Sequence, residues 1–544
     1  MPTIEVSRKT LERLAGKKIT EDMLDAVKGD IEGEKEGILK IEIGDTNRPD
    51  LWSVEGIARV FRERGIPKLR VKKSGKSIIV NANIQKIRPY IAGFVAKNVP
   101  MNEELLLDII QVQEKISENF GRKREKISIG VYNYRDAKFP LHYKAVAPKS
   151  VRFAPLEFTE PLDLDEILDK HPKGHLYGHI VKKHKMYPLF TDSAEQVLSF
   201  PPIINSNYLG KVREGTSEIF IEVTGSDIMP VNLVVNIMAL ALQDRGATIE
   251  SVNIGYPYAT PLGKRHATPY VFAEKLAFPE AMVKERLGIV LKTGQIISLL
   301  RSMQYDATKK GNKIVATVPY YRRDVMHPFD AIEDIAIAYG YGKIEPASLD
   351  SFTTGGLAPL TTSTEKVRRI AIGMGFQEIM SPILSNAADN EKSLNETKLI
   401  EIDNYMSKNY SAVRPSIIPS LLLVLSKNLH VEYPQKIFET GECASVENDE
   451  IKNATKITLC IADESAGYED ISSVADAMLR LLGVKYTLES SKKKMFIDGR
   501  QAAIKANGKV IGAMGEIHPQ VLENWGVDKP VVALELDVET LITR

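Results

Sequence analysis

The chain has 544 residues, 43% of them hydrophobic and 26% charged, a length at which roughly three or four domains are expected. Its 72 Lys and Arg residues nearly balance its 71 Asp and Glu residues, which excludes a polybasic tail protein and an acidic disordered protein. A nucleic-acid binder is not excluded, because a local basic face can exist within a neutral total.

Cysteine content and hydropathy indicate an intracellular protein. The two cysteines, Cys443 and Cys460, are too few for a disulfide scaffold, and we expect both to be buried apolar residues. The first ten residues contain no apolar core, which predicts that no signal peptide is present. The most apolar windows, residues 229–242 and 417–425, are shorter than the roughly 18 apolar residues of a membrane span, so we expect a cytoplasmic location.

The first block of the chain, residues 1–85, has the pattern of a small α/β domain. Residues 38–44 (ILKIEIG) predict a strand, and residues 51–64 predict a helix after an intervening turn. A basic, glycine-containing link at 71–77 precedes another short strand.

The second block, residues 86–262, predicts an α+β domain. Residues 103–119 predict a helix with one face formed by Leu106, Ile109, Ile110, Gln113 and Ile116. Strand patterns follow at 128–132, 141–146 and 218–223. The nearly all-apolar run 230–243, closed by Gly246, is typical of a helix that is buried on most sides.

The third block, residues 265–345, predicts two helices at 279–287 and 293–303, then a hairpin around the turn 309–312. This order of elements indicates a winged-helix-like unit. Its wing lysines, Lys309, Lys310 and Lys313, could contact phosphates, or the turn could simply be solvated. The fourth block, residues 350–544, follows a polar link and alternates short strands with helices.

A helix predicted to start at Pro328 carries the best candidate metal ligands. The acidic set is Asp324, Asp330, Glu333 and Asp334. The last three stand at i, i+3 and i+4, so their carboxylates are expected on one side of the helix, and an all-oxygen set suits Mg²⁺ rather than zinc. Alternatively, the acids complement the helix dipole, or Arg322 and Arg323 serve as their counter-ions.

Other motifs offer little chemistry. Four histidines, at positions 171, 175, 179 and 184, approach metal-ligand spacing, but Pro172 and Gly174 interrupt a regular helix and no zinc pattern completes the set. We expect a turn into a strand there, with exposed histidines. The sequence has no GxxxxGK[ST] loop, no GxGxxG after a strand and no GxSxG elbow, so it offers no self-contained nucleotide site.

Several stretches carry a resemblance to a known family when they are taken together. They are residues 45–51 (DTNRPDL), 121–124 (GRKR), 128–132 (SIGVY), 200–206 (FPPIINS), 220–225 (FIEVTG), the acidic helix from Pro328, and 512–519 (GAMGEIHP). In this order they resemble the β subunit of phenylalanyl-tRNA synthetases, and the form PPIINS resembles the archaeal and eukaryotic cytosolic type.

The resemblance implies an α₂β₂ heterotetramer that joins phenylalanine to tRNA-Phe with ATP and Mg²⁺. The α subunit would hold the ATP site, whereas the β subunit would carry an editing domain at 86–262 and a degenerate class II catalytic-like domain with an antiparallel sheet at 350–544. Residues 373–378 (GMGFQE) resemble the class II dimer-forming motif. Arg414, however, is followed by Pro415 and Ser416, so it does not form the Arg-x-Glu pattern that grips ATP in this class. We therefore expect the fourth block to be structural and to pair with the α subunit.

The resemblance also implies site residues. An editing site would hydrolyse tyrosyl-tRNA, with Glu222 accepting the tyrosine hydroxyl and with Ser199, Asn205 and Thr224 positioning the aminoacyl end and a water. In an alternating strand, Phe220 and Glu222 share a side, which favours a pocket, although Glu222 could also face solvent and Asn205 could belong to a turn. The four acidic residues of the third block would bind a structural or accessory metal.

Two other functions remain open from the sequence. The chain could be a scaffold that binds tRNA and the α subunit without editing activity. It could also be a winged-helix regulator of duplex DNA, although that function leaves the other matched segments unexplained.

Overall fold

The computed structural model describes residues 2–62 and 64–541, and it separates into two compact units, Met1–Ser348 and Leu349–Arg544. Both units mix helices and sheets, so this is a multidomain protein of mixed α and β structure, as the sequence predicts. Within the described residues, none of the helices has the length and apolar character needed to cross a membrane.

The first unit begins with a three-stranded antiparallel sheet and three helices. The strands are β1 (Thr3–Ser7), β2 (Gly29–Lys35) and β3 (Ile38–Ile43), in the order β1-β3-β2, and the helices are α1 (Arg8–Ala15), α2 (Glu21–Leu24) and α3 (Val54–Arg62). The strand predicted at 38–44 is confirmed as β3, whose alternate residues Leu39, Ile41 and Ile43 are buried. The helix predicted at 51–64 is confirmed as α3, and Glu63 lies outside the described residues.

An eleven-stranded sheet dominates the rest of the first unit. The strands of this region are β4 (Val71–Lys72), β5 (Ser77–Val80), β6 (Tyr90–Lys97), β7 (Ile127–Asn133), β8 (Leu141–Val146), β9 (Arg152–Phe153), β10 (Leu162–Asp163), β11 (Tyr187–Thr191), β12 (Val197–Phe200), β13 (Ile204–Asn205), β14 (Glu218–Gly225), β15 (Thr248–Gly255) and β16 (Arg265–Thr268). The helices are α4 (Glu103–Lys115), α5 (Leu164–Lys170), α6 (Pro172–Tyr177), α7 (His179–Lys182) and α8 (Ile228–Asp244). The path of the sheet is β13-β12-β11-β8-β5-β15-β6-β14-β7, with β4 and β16 paired to β15, while β9 and β10 form a separate pair.

Strand β14 lies between β6 and β7, and its two faces have different surroundings. Ile219, Ile221 and Val223 pack into the core that contains the apolar helix α8. Phe220 and Glu222 point to the opposite face because side chains alternate along a strand, and Phe220 joins a second core there. This alternation carries Glu222 into the interior.

The first unit ends with a small sheet and three helices. Its elements are β17 (Lys275–Pro279), α9 (Glu280–Leu287), α10 (Thr293–Ser302), β18 (Asp306–Lys310), β19 (Lys313–Thr317) and α11 (Pro328–Tyr339), and the sheet order is β17-β19-β18. Both predicted helices, the hairpin and the helix from Pro328 are confirmed. Helix α11 stops at Gly340, whose φ of 94° is readily adopted only by glycine.

The second unit is built on a seven-stranded sheet in which, among its residues up to 541, only β20 pairs in parallel. Its strands are β20 (Gln377–Glu378), β21 (Leu384–Ser385), β22 (Ile400–Glu401), β23 (Ala412–Val413), β24 (Gln435–Glu447), β25 (Glu450–Ala462), β26 (Thr487–Ser490), β27 (Phe496–Ala506), β28 (Lys509–Ile517) and β29 (Val531–Asp537). Its helices are α12 (Pro359–Gly373), α13 (Ala387–Lys392), α14 (Ile418–Lys427), α15 (Tyr468–Leu481) and α16 (Pro519–Trp525). The sheet order is β20-β24-β25-β29-β28-β27-β26, with β21, β22 and β23 in a second sheet. Cys443 and Cys460 are buried and unbonded, as the sequence predicts.

Candidate functional site

The centre of the candidate site is the carboxylate of Glu222 on β14. Its neighbour across the sheet is Gly130 of β7, and the next pair on this face joins Phe220 to Tyr132. A Cβ atom at position 130 would lie 2.6 Å from Glu222 Oε1 and 2.1 Å from the Tyr132 hydroxyl oxygen. Glycine at this position therefore provides the space that the carboxylate and the phenol occupy.

The Tyr132 hydroxyl links two of the predicted site residues. It lies 2.8 Å from Glu222 Oε1 and 2.8 Å from Ser199 Oγ. Because a phenol has one proton, Tyr132 donates to the carboxylate and accepts from the serine when both bonds form together. Burial holds the pKa of Tyr132 well above its usual value, so the phenol stays protonated and can donate.

The second carboxylate oxygen of Glu222 has no hydrogen-bond partner. Only 2% of the residue is exposed, and Oε2 is buried without a hydrogen bond from any described residue. Burial raises the pKa of Glu222 to about 7, while the Tyr132 hydrogen bond and the charge of Arg88 act in the opposite direction. A buried carboxylate with one free oxygen is costly unless a donor completes it.

Glu222 lines a cavity of about 240 Å³ together with two other predicted site residues, Ser199 and Asn205. The Asn205 side-chain amide donates to the Val131 carbonyl at 3.1 Å, which fixes the orientation of the carboxamide. The structure thus brings Ser199, Asn205 and Glu222 to one place.

The fourth predicted residue, Thr224, is fully buried and does not line this cavity. Its hydroxyl accepts from Arg88 Nε at 2.9 Å and lies 2.9 Å from the Ser128 hydroxyl. The prediction that Thr224 positions the aminoacyl end directly is therefore not supported by the geometry. Thr224 holds the Arg88 side chain instead, and Ser128 is the hydroxyl of this group that reaches the cavity.

Helix α4 forms another wall of the cavity, through Ile110 and Gln113. The predicted buried face of this helix is partly wrong, because Ile110 is 43% exposed, whereas Leu105 and Val112 are buried. The helix also continues beyond Lys115 as a π-helical turn at Ile116–Phe120.

His175 and His179 are exposed, as predicted, but they lie in helices α6 and α7, so the expected turn is wrong for residues 172–182. His184 lies in the bend that leads into β11. His171 is buried and lines the cavity. Its Nδ1 accepts from the Lys173 amide and its Nε2 lies 3.1 Å from the Leu156 carbonyl, so both ring nitrogens are engaged. His171 therefore caps helix α6 and is not free to act as a base.

Three residues of the site escaped the sequence reasoning: Arg88, Gly130 and Tyr132. Gly130 and Tyr132 belong to the motif SIGVY, and their alternate positions on a strand are the signal that could have placed them on the face of Glu222. Arg88 lies in a loop more than a hundred residues from Thr224 in sequence, and no local pattern connects the two.

The four predicted metal ligands do not converge in the structure. Asp324 and Asp334 both pair with the buried Arg322, each at 2.5 Å, and Asp334 also accepts from the Tyr305 hydroxyl at 2.5 Å. Burial would raise the pKa of Asp324, but Arg322 and Arg48 hold it below its usual value. The alternative that Arg322 serves as a counter-ion is the arrangement found.

The two remaining acids of this set have separate roles. Asp330 accepts from the amides of Met326 and His327 at 2.8 and 2.7 Å and so caps helix α11, while Glu333 accepts from the Tyr341 hydroxyl at 2.6 Å. Across residues 2–62 and 64–541, no three His, Cys, Asp or Glu side chains are grouped as a metal site would require. This arrangement does not fit a shared magnesium ion, and the metal role of the four acids stays a prediction from the resemblance.

In the second unit, Arg414 is buried and engaged. It pairs with Glu439 at 2.8 Å and donates to the Ser381 hydroxyl at 2.8 Å. A Cβ atom at Gly441 would lie 2.2 Å from Arg414 Nη2, so the guanidinium fills the space beside that glycine. Arg414 thus supports the sheet and does not face solvent.

Comparisons with known proteins agree on one family. Residues 346–538 match the family model of the phenylalanyl-tRNA synthetase β chain CLM domain, and residues 276–341 match that of the tRNA synthetase B5 domain. The phenylalanine–tRNA ligase β subunit of Pyrococcus horikoshii is 39% identical over 99% of this chain and 100% of its own, and that of Thermococcus gammatolerans is 38% identical over 100% of both. A crystal structure of an N-terminal fragment of the Pyrococcus horikoshii β subunit has a TM-score of 0.60 and 38% identity, and covers 62% of this chain and 100% of the fragment.

Proposed function

This chain belongs to the family of phenylalanine–tRNA ligase β subunits, and we propose that it both supports aminoacylation and removes tyrosine from mischarged tRNA. In the proposed assembly it joins an α subunit in an α₂β₂ heterotetramer in the cytoplasm. The α subunit attaches phenylalanine to tRNA-Phe with ATP and Mg²⁺. The β subunit hydrolyses tyrosyl-tRNA at the cavity beside Glu222.

The proposed division of the chain follows from this function. Residues 1–85 form an N-terminal domain, residues 86–262 the editing domain, residues 265–345 a winged-helix-like domain, and residues 350–544 a degenerate class II catalytic-like domain. The internal pairing of Arg414 with Glu439 supports a structural role for the last of these, because a buried, paired guanidinium cannot bind a triphosphate. If the acidic segment of the third domain binds Mg²⁺, Arg322 must release Asp324 and Asp334.

Editing has a physical motive. Tyrosine is phenylalanine with one added hydroxyl, and an apolar pocket rejects such an addition by only about 10²-fold. A site that hydrogen-bonds the hydroxyl selects tyrosine over phenylalanine, because phenylalanine leaves the buried polar group of the site unpaired.

The observation that carries the proposal is the unpartnered Oε2 of Glu222 at the wall of a cavity. The tyrosine hydroxyl would donate to Oε2, while Tyr132 holds Oε1 at 2.8 Å and so fixes the direction of the free oxygen. The charged carboxylate makes a stronger hydrogen bond than a neutral acceptor. A phenylalanine ring in the same place would leave Oε2 buried without a donor.

Water is the proposed nucleophile. His171 is the imidazole of the cavity, and because both of its nitrogens are engaged it cannot take a proton from Ser199. The Ser199 hydroxyl and the Asn205 carboxamide instead offer polar contacts to the ribose ester and to the attacking water. In this mechanism the chain contributes binding and orientation rather than a covalent intermediate.

Measuring the hydrolysis of tyrosyl-tRNA by wild type and by Glu222→Ala tests the proposal. We expect wild type to release tyrosine and Glu222→Ala to lose most of that activity, while Glu218→Ala, on the same strand but outside the cavity, behaves as wild type. Full activity in Glu222→Ala would show that the site lies elsewhere. No activity in wild type would leave the scaffold that binds tRNA and the α subunit without editing.

A further inference from the structure

A second cavity, of about 260 Å³, lies beside the first and is lined by basic groups. It is formed by the segments just before β6 and β7 and by the end of α7. Its cationic lining residues are Arg88, Lys126 and Lys183, with His184 beside them. Pro202 lines both cavities, and Ser128 of the first cavity accepts from Arg88 Nη2 at 3.1 Å.

Arg88 is the unusual member of this lining because it is a buried cation with no carboxylate hydrogen-bonded to it. Only 3% of the residue is exposed. Its bonds go to neutral acceptors: the hydroxyls of Thr224 and Ser128 and the carbonyls of Thr224 and Glu125, at 2.8 to 3.1 Å. A guanidinium has five N–H donors, so one N–H of Nη1 has no partner among the described residues.

Electrostatics favour an anion at this place. Burial lowers the pKa of Arg88; Tyr143 and Glu222 oppose this, Arg124 adds to it, and the pKa stays lowered on balance, so the guanidinium is only partly compensated. Lys126 and Lys183 are exposed and can turn towards a ligand, whereas burial and the charge of Lys183 lower the pKa of His184. The one carboxylate in the lining, Glu125, is half exposed and lies 3.9 Å from His179, so the cationic groups outnumber it.

We propose that this second cavity binds a phosphate of the RNA whose aminoacyl end occupies the first cavity, namely the phosphate 5′ to the terminal adenosine. The inference rests on the proposed editing function and adds a subsite to it. Arg88 would donate to the phosphate while it holds Thr224 and Ser128, and Lys126 and Lys183 would supply additional charge. The phosphate then fixes where the ribose ester enters the first cavity.

The test compares two small substrates, 2′(3′)-O-tyrosyl-adenosine with and without a 5′-phosphate, together with tyrosyl-tRNA. The variant is Lys126→Ala/Lys183→Ala, and the matched control is Lys123→Ala/Lys182→Ala, which removes two exposed lysines of the same segments that do not line the cavity. In wild type we expect the phosphate to raise kcat/KM by about tenfold, as for a charge-assisted contact. The cavity variant should lose this gain. It should also make the slope of log kcat/KM for tyrosyl-tRNA against log salt concentration shallower by about one to two.

Each result decides between distinct conclusions. A gain from the phosphate that disappears in the cavity variant but persists in the control supports the subsite. No gain in wild type, equal losses on both small substrates, or equal losses in the control variant would overturn it while leaving editing intact. If wild type hydrolyses none of the three substrates, the editing proposal fails and the subsite fails with it.

Discussion

Raising the pH from 6 to 8 should increase the preference of the proposed editing site for tyrosine, because Glu222 would have to ionise to bind the hydroxyl strongly. With a pKa of about 7, roughly a tenth of Glu222 is ionised at pH 6 and roughly nine-tenths at pH 8. The ratio of kcat/KM for tyrosyl-tRNA over phenylalanyl-tRNA should therefore rise by about tenfold over this interval. Measuring the ratio cancels the faster attack of hydroxide on both esters at higher pH.

The matched variant is Glu222→Gln, which keeps the shape of the side chain and cannot ionise. Its ratio should stay low and should not change between pH 6 and pH 8. The assay is deacylation of each purified aminoacyl-tRNA at several pH values, with the enzyme-free rate subtracted. A wild-type ratio that is independent of pH, or a variant ratio that rises as steeply as that of wild type, would refute this reasoning.

Three other perturbations have expected outcomes. The folded-state pKa of Glu222 is raised from 4.5 to about 7, so its carboxyl costs stability as pH rises through that window. Urea unfolding should therefore show Glu222→Gln gaining about 2–3 kcal/mol of stability relative to wild type between pH 5 and pH 8, and an equal difference at both pH values would contradict this. Gly130→Ala places a Cβ atom 2.1 Å from the Tyr132 hydroxyl oxygen. We therefore expect this variant to lose about 1–3 kcal/mol of stability and to hydrolyse tyrosyl-tRNA at least about tenfold more slowly. Wild-type activity in this variant would show that the packing around Glu222 is looser than described. Because Arg322 already pairs with both Asp324 and Asp334, chelating Mg²⁺ should shift the unfolding midpoint of the chain by less than about 1 °C, whereas Arg322→Ala should cost about 3–5 kcal/mol of stability. A large shift of the wild-type midpoint with EDTA would instead favour a metal there.

Periodic patterns predicted many elements of the fold, including the side of β14 on which Glu222 lies. Phe220 and Glu222 alternate with Ile219 and Ile221, and this alternation is a local property of the strand. Both faces of the strand are buried in the sheet, so the alternation was enough to place Glu222 in the interior.

Helix α4 shows where periodicity is insufficient. Three consecutive leucines, at positions 105–107, allow more than one choice of apolar face. The structure buries Leu105 and leaves Ile110 partly exposed at the cavity, which depends on what packs against the helix. Where a helix lines a cavity, part of its apolar face packs against no other side chain. The spacing of apolar residues alone does not show which part that is.

Spacing alone is likewise insufficient for the acidic residues around α11. Spacing placed Asp330, Glu333 and Asp334 on one side of α11, but Asp334 turns inward to Arg322 and Tyr305, which lie outside the helix. Partners from elsewhere in the chain decide which carboxylates remain free. The same holds for the link between Arg88 and Thr224, which joins residues that no local pattern relates.

The most direct test of the account is the hydrolysis of tyrosyl-tRNA against phenylalanyl-tRNA by the purified chain, alone and with its α subunit. We predict selective release of tyrosine in at least the complete assembly, and loss of that selectivity in Glu222→Gln. Absence of tyrosine release in both conditions, with both tRNAs bound, would contradict an editing site at Glu222 and leave the chain as a scaffold.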